Sequence, residues 1–428
     1  MVLLLLGLAC VETPDLQTEG PRAAEEEALH GRLDSTGPHP ILYLWGSRAE
    51  MGYAEGALTC ERIAPLFKDY LLEHLVGEYT DYTYDIIRGV VIGSVKYTDA
   101  DMEELTAFYQ GALDHCTEEQ LTVESDLLEP QTGGRRMLEF EDLLFANAVA
   151  DFGCSSFSVW GEASATGDTI NGRNFDWAVD PKGTFSQNHM IKVYDSTDEG
   201  ARFASLMVPA MLGCVSCVTE EGVALTMHNE GGLEATYNTD ISPRMMSARA
   251  ALAATYGADD VVASAEEVLE SRRERTGNNL HLAFPVGRSP GGIGAVVFEY
   301  DGNYEHPDGQ VTVRRPGEDA DLPRTDAIVA TNHYMKRRAP STEGDSYNRA
   351  MSLRLGIEAT VAEGIQPDDG RGFLRGVQLA SGGLTVHSVL LDTKNRNWSI
   401  FVTPDAVTPA PDAEPDVLNL DELFGGLP

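Results

Sequence analysis

The chain has 428 residues, of which 31 are Lys or Arg and 68 are Asp or Glu, for a formal net charge of −37. That acidic excess argues against nucleic acid or an anionic membrane surface as a partner, since both require a positive footprint. With 42% apolar, 8% aromatic and 23% charged residues, the chain has the hydrophobic material for a buried core and is not a disordered acidic polymer.

The apolar run Val2 to Ala9 ends at Cys10. It is far too short to span a membrane, which takes about 20 apolar residues, and the small residue before the cysteine suggests an export signal whose cysteine carries a lipid. A leader rich in Glu, Gly, Pro and Thr reaches to about residue 38. The expectation is an exported protein, periplasmic or at the cell surface, touching the membrane peripherally and only through a lipid on Cys10.

Between residues 39 and 153 the pattern is mainly helical. Met51, Ala54, Leu58, Ile63, Leu66, Leu72 and Leu75 recur near helical spacing, and residues 99–115 and 137–150 read likewise. After Gly153 the period changes to two: Phe157 and Val159 alternate with Ser156 and Ser158. The turn Thr166-Gly167-Asp168 then leads into a second strand, Thr169 to Asn174, which predicts a hairpin. Counting by twos puts Cys154 on the face of Ser156 and Ser158. Further strands are predicted at 189–194, 203–208, 213–218 and 222–227, then helices at 244–256 and 259–273. Strands near 294–300, 310–314 and 326–330, a helix at 346–362 and a closing strand pair at 385–391 and 397–402 complete a layered α+β fold. Residues 403–416, with four prolines, read as a tail, and 417–427 as a short docking segment.

Six cysteines (Cys10, Cys60, Cys116, Cys154, Cys214 and Cys217) are too few for a disulfide scaffold in a chain this long. Cys60 and Cys116 can pair if the protein is exported. Cys214 and Cys217 form a C-x-x-C, but their setting reads as a strand, where residues three apart point to opposite faces, so they are expected to be core thiols. Neither a second C-x-x-C nor a His pair completes a zinc set, there is no His-Glu-x-x-His, and Gly291-Gly292-Ile293-Gly294 does not form a dinucleotide fingerprint. No metal or cofactor is expected.

The stretch Phe152 to Trp177 carries the chemistry. Cys154 follows Gly153 at the head of a strand, and Arg173 and Asp176 lie on the chain returning beside it. A nucleophilic thiol needs a lowered pKa, which a nearby Arg supplies by favouring the thiolate. If the Gly153–Cys154 bond is cut, Cys154 gains an amine with an ordinary pKa of about 7.7–8.0, which can serve as base for its own side chain. Asp176 would then orient the amine.

The sequence Cys154-Ser155-Ser156-Phe157, a short hairpin, and Gly172-Arg173-Asn174-Phe175-Asp176-Trp177 together resemble the cysteine branch of the N-terminal nucleophile (Ntn) hydrolases, in particular the penicillin acyltransferase family, with choloylglycine hydrolases and acid ceramidases as relatives. The resemblance covers about residues 40–403. It implies a four-layer αββα sandwich behind a mainly helical prosegment, self-cleavage between Gly153 and Cys154, and active-site roles for Arg173 and Asp176. Three further segments resemble the family in order. The strand ending His228-Asn229-Glu230 implies that Asn229 serves the oxyanion hole; Thr331-Asn332-His333 implies that Asn332 lies beside the substrate carbonyl; Ser346-Tyr347-Asn348-Arg349 implies that Arg349 is a supporting charge. Thr385 to Val389 resembles the closing strand, and Met51 to Gly56 the prosegment helix. The chain departs from the family in the 19-residue Cys154 to Arg173 spacing, longer by a few residues in a tolerant loop, and in Cys-Ser-Ser where Cys-Thr-Ser is common.

Each residue also has a plainer reading. Asn229 and Asn332 suit turns, Arg349 a solvated helix face, Asp176 a turn cap, and Cys154 a buried structural thiol. His228 and His333, each beside an Asn, read as wall residues, since an Ntn site needs no histidine base. The resemblance implies a prosegment 39–153 and a catalytic domain 154–403, which the composition of the two ends sets between a leader 1–38 and a tail 404–428. It implies hydrolysis or transfer of a linear or side-chain amide through a thioester, with a small acyl-amide substrate and the cut prosegment as a non-covalent subunit. The alternatives are an ester hydrolase of phospholipase B type, a non-catalytic surface lipoprotein, and a thiol redox protein built on Cys214 and Cys217. Residues 1–153 hold 9 basic and 29 acidic side chains, for −20, and residues 154–428 hold 22 and 39, for −17. The two pieces are therefore expected to repel and to stay together only through apolar burial, with screening by salt.

Overall fold

A computed structural model describes residues 29–77, 84–128, 133–148, 153–230, 239–274, 277–303, 305–338, 341–379 and 383–428; Cys10 and its apolar run lie outside them. Among the described residues the strands are β1 Gly31–Asp34, β2 Ile41–Gly46, β3 Thr122–Glu124, β4 Arg135–Met137, β5 Gly153–Val159, β6 Ile170–Trp177, β7 Met190–Ser196, β8 Ala201–Met207, β9 Ser216–Thr219, β10 Ala224–Glu230, β11 Gly277–Ala283, β12 Ala295–Tyr300, β13 Val311–Arg314, β14 Ala327–Ala330, β15 Leu384–Asp392, β16 Asn397–Val402 and β17 Asp416–Asn419. The helices used below are α1 Arg48–Leu58, α2 Asp99–His115, α3 Phe140–Ala148, α4 Arg244–Ala253, α5 Val261–Glu270, α6 Asp345–Thr360, α7 Pro367–Gly376 and α8 Leu420–Phe424. No helix among the described residues is long and apolar enough to cross a membrane.

Two sheets make the frame, ordered β1-β2-β7-β8-β9-β10-β11-β12-β13 and β14-β5-β6-β15-β16-β17. Their facing sides interlock through Ile191, Val193, Leu206 and Val218 from the first sheet and Val389, Leu391, Trp398 and Ile400 from the second. The outer face of the first sheet, including Tyr194, Phe203, Leu225 and Met227, is covered by α1, α2, α3, α4 and α5. The outer face of the second, including Phe157, Val159 and Ile170, is covered by α6 and α7 through Leu353, Ile357 and Leu374. The result is an α-β-β-α sandwich, as expected of an α+β chain whose strands bury both faces.

The structure differs from the sequence reading at three places. Gly31–Asp34, inside the stretch expected to be leader, pairs with β2, and β2 lies parallel to β7, so the segment before Cys154 supplies strands as well as helices. Strand β11 was not predicted, because its Gly-Asn-Asn-Leu-His-Leu-Ala sequence, buried along its whole length, alternates only over Asn279 to Leu282 and has no β-branched residue. Helix α7 was not predicted either, since its three glycines depress helix propensity. The segment expected to dock does so: β17 pairs with β16, and α8 buries Leu420, Leu423 and Phe424 between the sheets.

The helices before Cys154 are tied down in two ways. A Cβ on Gly52 or Gly56 of α1 would run into the carbonyl oxygens of Glu104 and Phe108 on α2, so glycine permits the close approach. A disulfide between Cys60 and Cys116 joins the ends of this pair. Across the boundary at Cys154, Lys192 donates to Glu55 at 2.7 Å and Arg249 to Glu104 at 2.9 Å, and Arg249 also holds Glu199, on its own side of the boundary, at 2.7 Å. Arg48 in turn holds Glu104 at 2.7 Å and Asp101 at 2.9 Å. The expectation that only apolar burial joins the two like-charged pieces is therefore wrong: a buried network of opposite charges crosses between them, and buried pairs are little screened by salt.

Candidate active site

Strand β5 pairs antiparallel with β6, setting Gly153 opposite Asp176, Cys154 opposite Phe175 and Ser156 opposite Arg173. The face containing Cys154 points between the sheets, because Ser156 and Ser158 both reach His281 on β11, at 2.7 and 2.9 Å. Arg173 shares that face. Its Nη2 donates to the Cys154 sulfur at 3.0 Å and to the Met227 carbonyl at 3.0 Å.

The backbone N–H of Cys154 donates to Asn332 Oδ1 at 2.7 Å. Arg349, reaching in from α6, donates to the Cys154 carbonyl at 2.6 Å, to Asn332 Oδ1 at 2.9 Å, to Asp176 at 3.3 Å and to Asp345 at 2.7 Å. Asp176 also accepts from Thr385 at 2.6 Å. Asn332 Nδ2 donates to the Asn229 carbonyl at 2.5 Å, and Arg244 donates to Asn229 Oδ1 at 2.6 Å. Because guanidinium is donor-only, the oxygen of Asn229 faces Arg244 and its Nδ2 end faces elsewhere.

All six residues singled out in the sequence thus lie in one hydrogen-bonded assembly, Asn229 entering through its main chain. In the intact chain the backbone nitrogen of Cys154 is held by Asn332, and Asp176 is engaged by Arg349 and Thr385. Gly153 and Cys154 are consecutive residues of β5. His228 bonds the Asn279 carbonyl at 3.0 Å and His333 bonds Ser346 at 2.8 Å, in keeping with wall positions. His387, His189 and Ser216, which pack behind Arg173, were not singled out as site residues. Their only sequence signal was the place of His387 in the closing strand, and nothing local to Ser216 or His189 points toward Arg173.

Burial governs the electrostatics. Cys154 has no solvent exposure, and in the uncut chain its thiol is pushed up to about 11 by burial, which outweighs the pull of Arg173 and Arg349 toward the thiolate. Burial likewise raises Asp176 despite Arg349, Thr385 and Arg173, and lowers Arg173 despite Cys154 and Asp176. The other cysteines among the described residues are paired. Cys214 and Cys217, expected as separate core thiols, are disulfide-bonded. The strand rule fails there because β9 begins only at Ser216, so Cys214 lies in the bend before it.

No protein-family model matches the chain. An uncharacterized protein of Archaeoglobus fulgidus is 24% identical over 326 residues, a match covering 71% of this chain and 51% of that protein; the chain thus spans about half the length of the curated relative it matches. Among solved structures, the Caenorhabditis elegans N-acylethanolamine-hydrolyzing acid amidase ortholog is similar at a TM-score of 0.40 and 13% identity, over 62% of this chain and 100% of that one. A mutant conjugated bile acid hydrolase from Clostridium perfringens is similar at 0.38 and 9%, over 64% and 94%. Penicillin V acylase from Agrobacterium tumefaciens is similar at 0.35 and 14%, over 62% and 84%.

Proposed function

We propose that the chain is a cysteine Ntn hydrolase or acyltransferase of the penicillin acyltransferase type, activated by cutting itself between Gly153 and Cys154. The observation that carries this reading is the convergence on Cys154, with Arg173 3.0 Å from the sulfur and Asn332 2.7 Å from the nitrogen. In the cutting step the sulfur attacks the Gly153 carbonyl, the peptide C–N bond breaks as the Cys154 nitrogen takes a proton, and water hydrolyses the thioester. The freed amine then stays on Asn332 Oδ1 and serves as the base. In turnover the amine takes the thiol proton, the thiolate attacks an acyl carbonyl, and Asn229 stabilises the oxyanion together with main-chain N–H groups. The amine returns the proton to the leaving nitrogen, and water or an acceptor amine takes the acyl group from sulfur.

The preferred substrate is a small N-acyl compound. The cut segment would remain as a subunit through the buried ion pairs at Lys192 and Arg249 and the parallel β2–β7 pairing. The disulfide between Cys60 and Cys116 supports the export expected from the leader, because disulfides persist in oxidising compartments. Complete burial of Cys154 suits an uncut precursor, and it equally favours a second reading: a non-catalytic protein that keeps the thiol for packing.

One experiment separates the two. On a denaturing gel the wild type is expected to run as two fragments, the larger beginning at Cys154, and Cys154→Ala as one uncut chain without amidase turnover. An intact wild-type chain with full activity, or cutting that persists in Cys154→Ala, would refute the proposal.

A further inference from the structure

Arg173 is held from behind as well as from the front. Its Nη1 donates to Ser216 Oγ at 2.5 Å and to His387 Nε2 at 2.8 Å, and Ser216 Oγ lies 2.8 Å from the same imidazole nitrogen. On the far side of the ring, His387 Nδ1 lies 3.0 Å from His189 Nε2, and His189 Nδ1 lies 3.0 Å from the Phe185 carbonyl. Phe175 closes the assembly, its ring stacked on His387 at 4.5 Å and under the Arg173 guanidinium at 4.8 Å. Arg173 and His387 are fully buried, and His189 is nearly so.

The protons in this chain are determined by its two ends. Guanidinium only donates, so His387 Nε2 accepts and its proton sits on Nδ1; a carbonyl only accepts, so the proton of His189 sits on its Nδ1. His387 Nδ1–H therefore donates to His189 Nε2. Both rings are neutral, and burial keeps them so, holding His189 at about 4 and His387 well below its ordinary value. From β5, β6 and β10 the groups facing the guanidinium are Cys154, Asp176 and His228. A carboxylate in place of His387 would fix Arg173 equally well but would neutralise the charge that favours a thiolate. A neutral acceptor fixes the group and leaves its charge directed at the sulfur.

We propose that His387, backed by His189, is a positioning residue that fixes the Arg173 guanidinium against Cys154 without neutralising it. The inference deepens the reading of Cys154 as nucleophile and rests on it for its purpose, but its test does not require turnover. In the whole protein as purified, cut or uncut, the pH profile of the Cys154 thiolate is followed by its ultraviolet absorbance as the difference from Cys154→Ala in the same background, a readout that needs no reagent to reach the buried sulfur. His387→Leu is expected to move the profile upward by about one pH unit, a tenfold loss of thiolate at fixed pH. His387→Gln, which can accept from Arg173 and donate to His189, is expected to keep the wild-type profile. His189→Leu, which leaves His387 in place but removes its acceptor, is expected to shift it in the same direction by less, and carries the comparison if His387→Leu does not fold. Equal shifts for Leu and Gln at position 387, or no shift in any variant, would overturn the proposal. A shift as expected in a protein with no amidase turnover would uphold the positioning role while refuting the enzymatic reading.

Discussion

Arg349 is where a single side chain is expected to matter most for stability. Its guanidinium serves the Cys154 carbonyl, Asn332, Asp176 and Asp345 at once, and the Asp176 side chain it faces has no exposure. Arg349→Ala strands that carboxylate, and removing one partner of a buried pair costs about 3–5 kcal/mol. A urea melt should show the loss, and Arg349→Ala combined with Asp176→Asn should recover part of it; an unchanged midpoint for the single variant would show that Asp176 does not depend on Arg349. Arg349 is also the residue whose plain reading was furthest from its place: a polar residue in a helical pattern reads as solvated, because helical period reports which face a residue occupies and not which strand end lies beneath it. The Cys154 and Arg173 pairing was legible from the hairpin, since two strands joined by a polar turn must run side by side. The bond from the Cys154 nitrogen to Asn332 was not, because those two residues are 178 apart.

Among the elements, the α1–α2 pair is the one whose geometry hangs on absent side chains. At Gly56 even a methyl group would meet the Phe108 carbonyl and the Ala112 nitrogen. Gly56→Ala is therefore expected to destabilise by about 1–3 kcal/mol, the usual cost of overpacking. Gly93→Ala, in the helix Tyr84–Ser94 where nothing lies within 4 Å, should be neutral or stabilising by up to about 1 kcal/mol. Thermal melts of the two variants check this, and equal midpoints would mean that α1 and α2 can separate freely. Element types were readable wherever one period dominated, as in β5, β10, α2 and α6. They were unreadable in β11 and α7, whose identity comes from two neighbouring strands and from an underlying sheet.

At the scale of the molecule, the interior carries neutral histidines as part of its frame. Burial lowers His189 and His333 from 6.5 to about 4 and His281 to about 3. Between those values and 6.5 the unfolded chain binds protons that the folded chain does not, so stability rises with pH through the window and falls as pH drops. Among the described residues the raised carboxyls of Glu55, Asp176, Glu266 and Asp416 act in the opposite sense, but they are fewer than the lowered histidines, which also include His39, His228 and His387. The melting temperature is thus expected to fall as pH is lowered from about 7 to 4, and His281→Gln should flatten the decline. A melting temperature that climbs over that range would contradict the prediction. The same scale decides how the like-charged segments on either side of Cys154 pack together. Counts of −20 and −17 suggest repulsion, yet Lys192 and Arg249 meet Glu55 and Glu104 inside the boundary, because net charge says nothing about where individual charges are placed.

The sequence by itself determined the layered α+β class, the hairpin that brings Arg173 beside Cys154, and, through its ordered resemblance to a known family, the six residues that the fold gathers into one hydrogen-bonded assembly. Those are consequences of local periodicity, turn chemistry and the order of motifs along the chain. Only the tertiary structure decided which atom of Cys154 each partner touches, that Cys214 and Cys217 bond to each other, and that the segment before Cys154 supplies strands to the larger sheet. It alone brought His387 and His189 behind Arg173. Apart from the Cys214–Cys217 bond, whose partners are three residues apart, such contacts join residues well separated along the chain, and they are set by the register of strands and the stacking of two sheets, neither of which leaves a periodic mark in the chain.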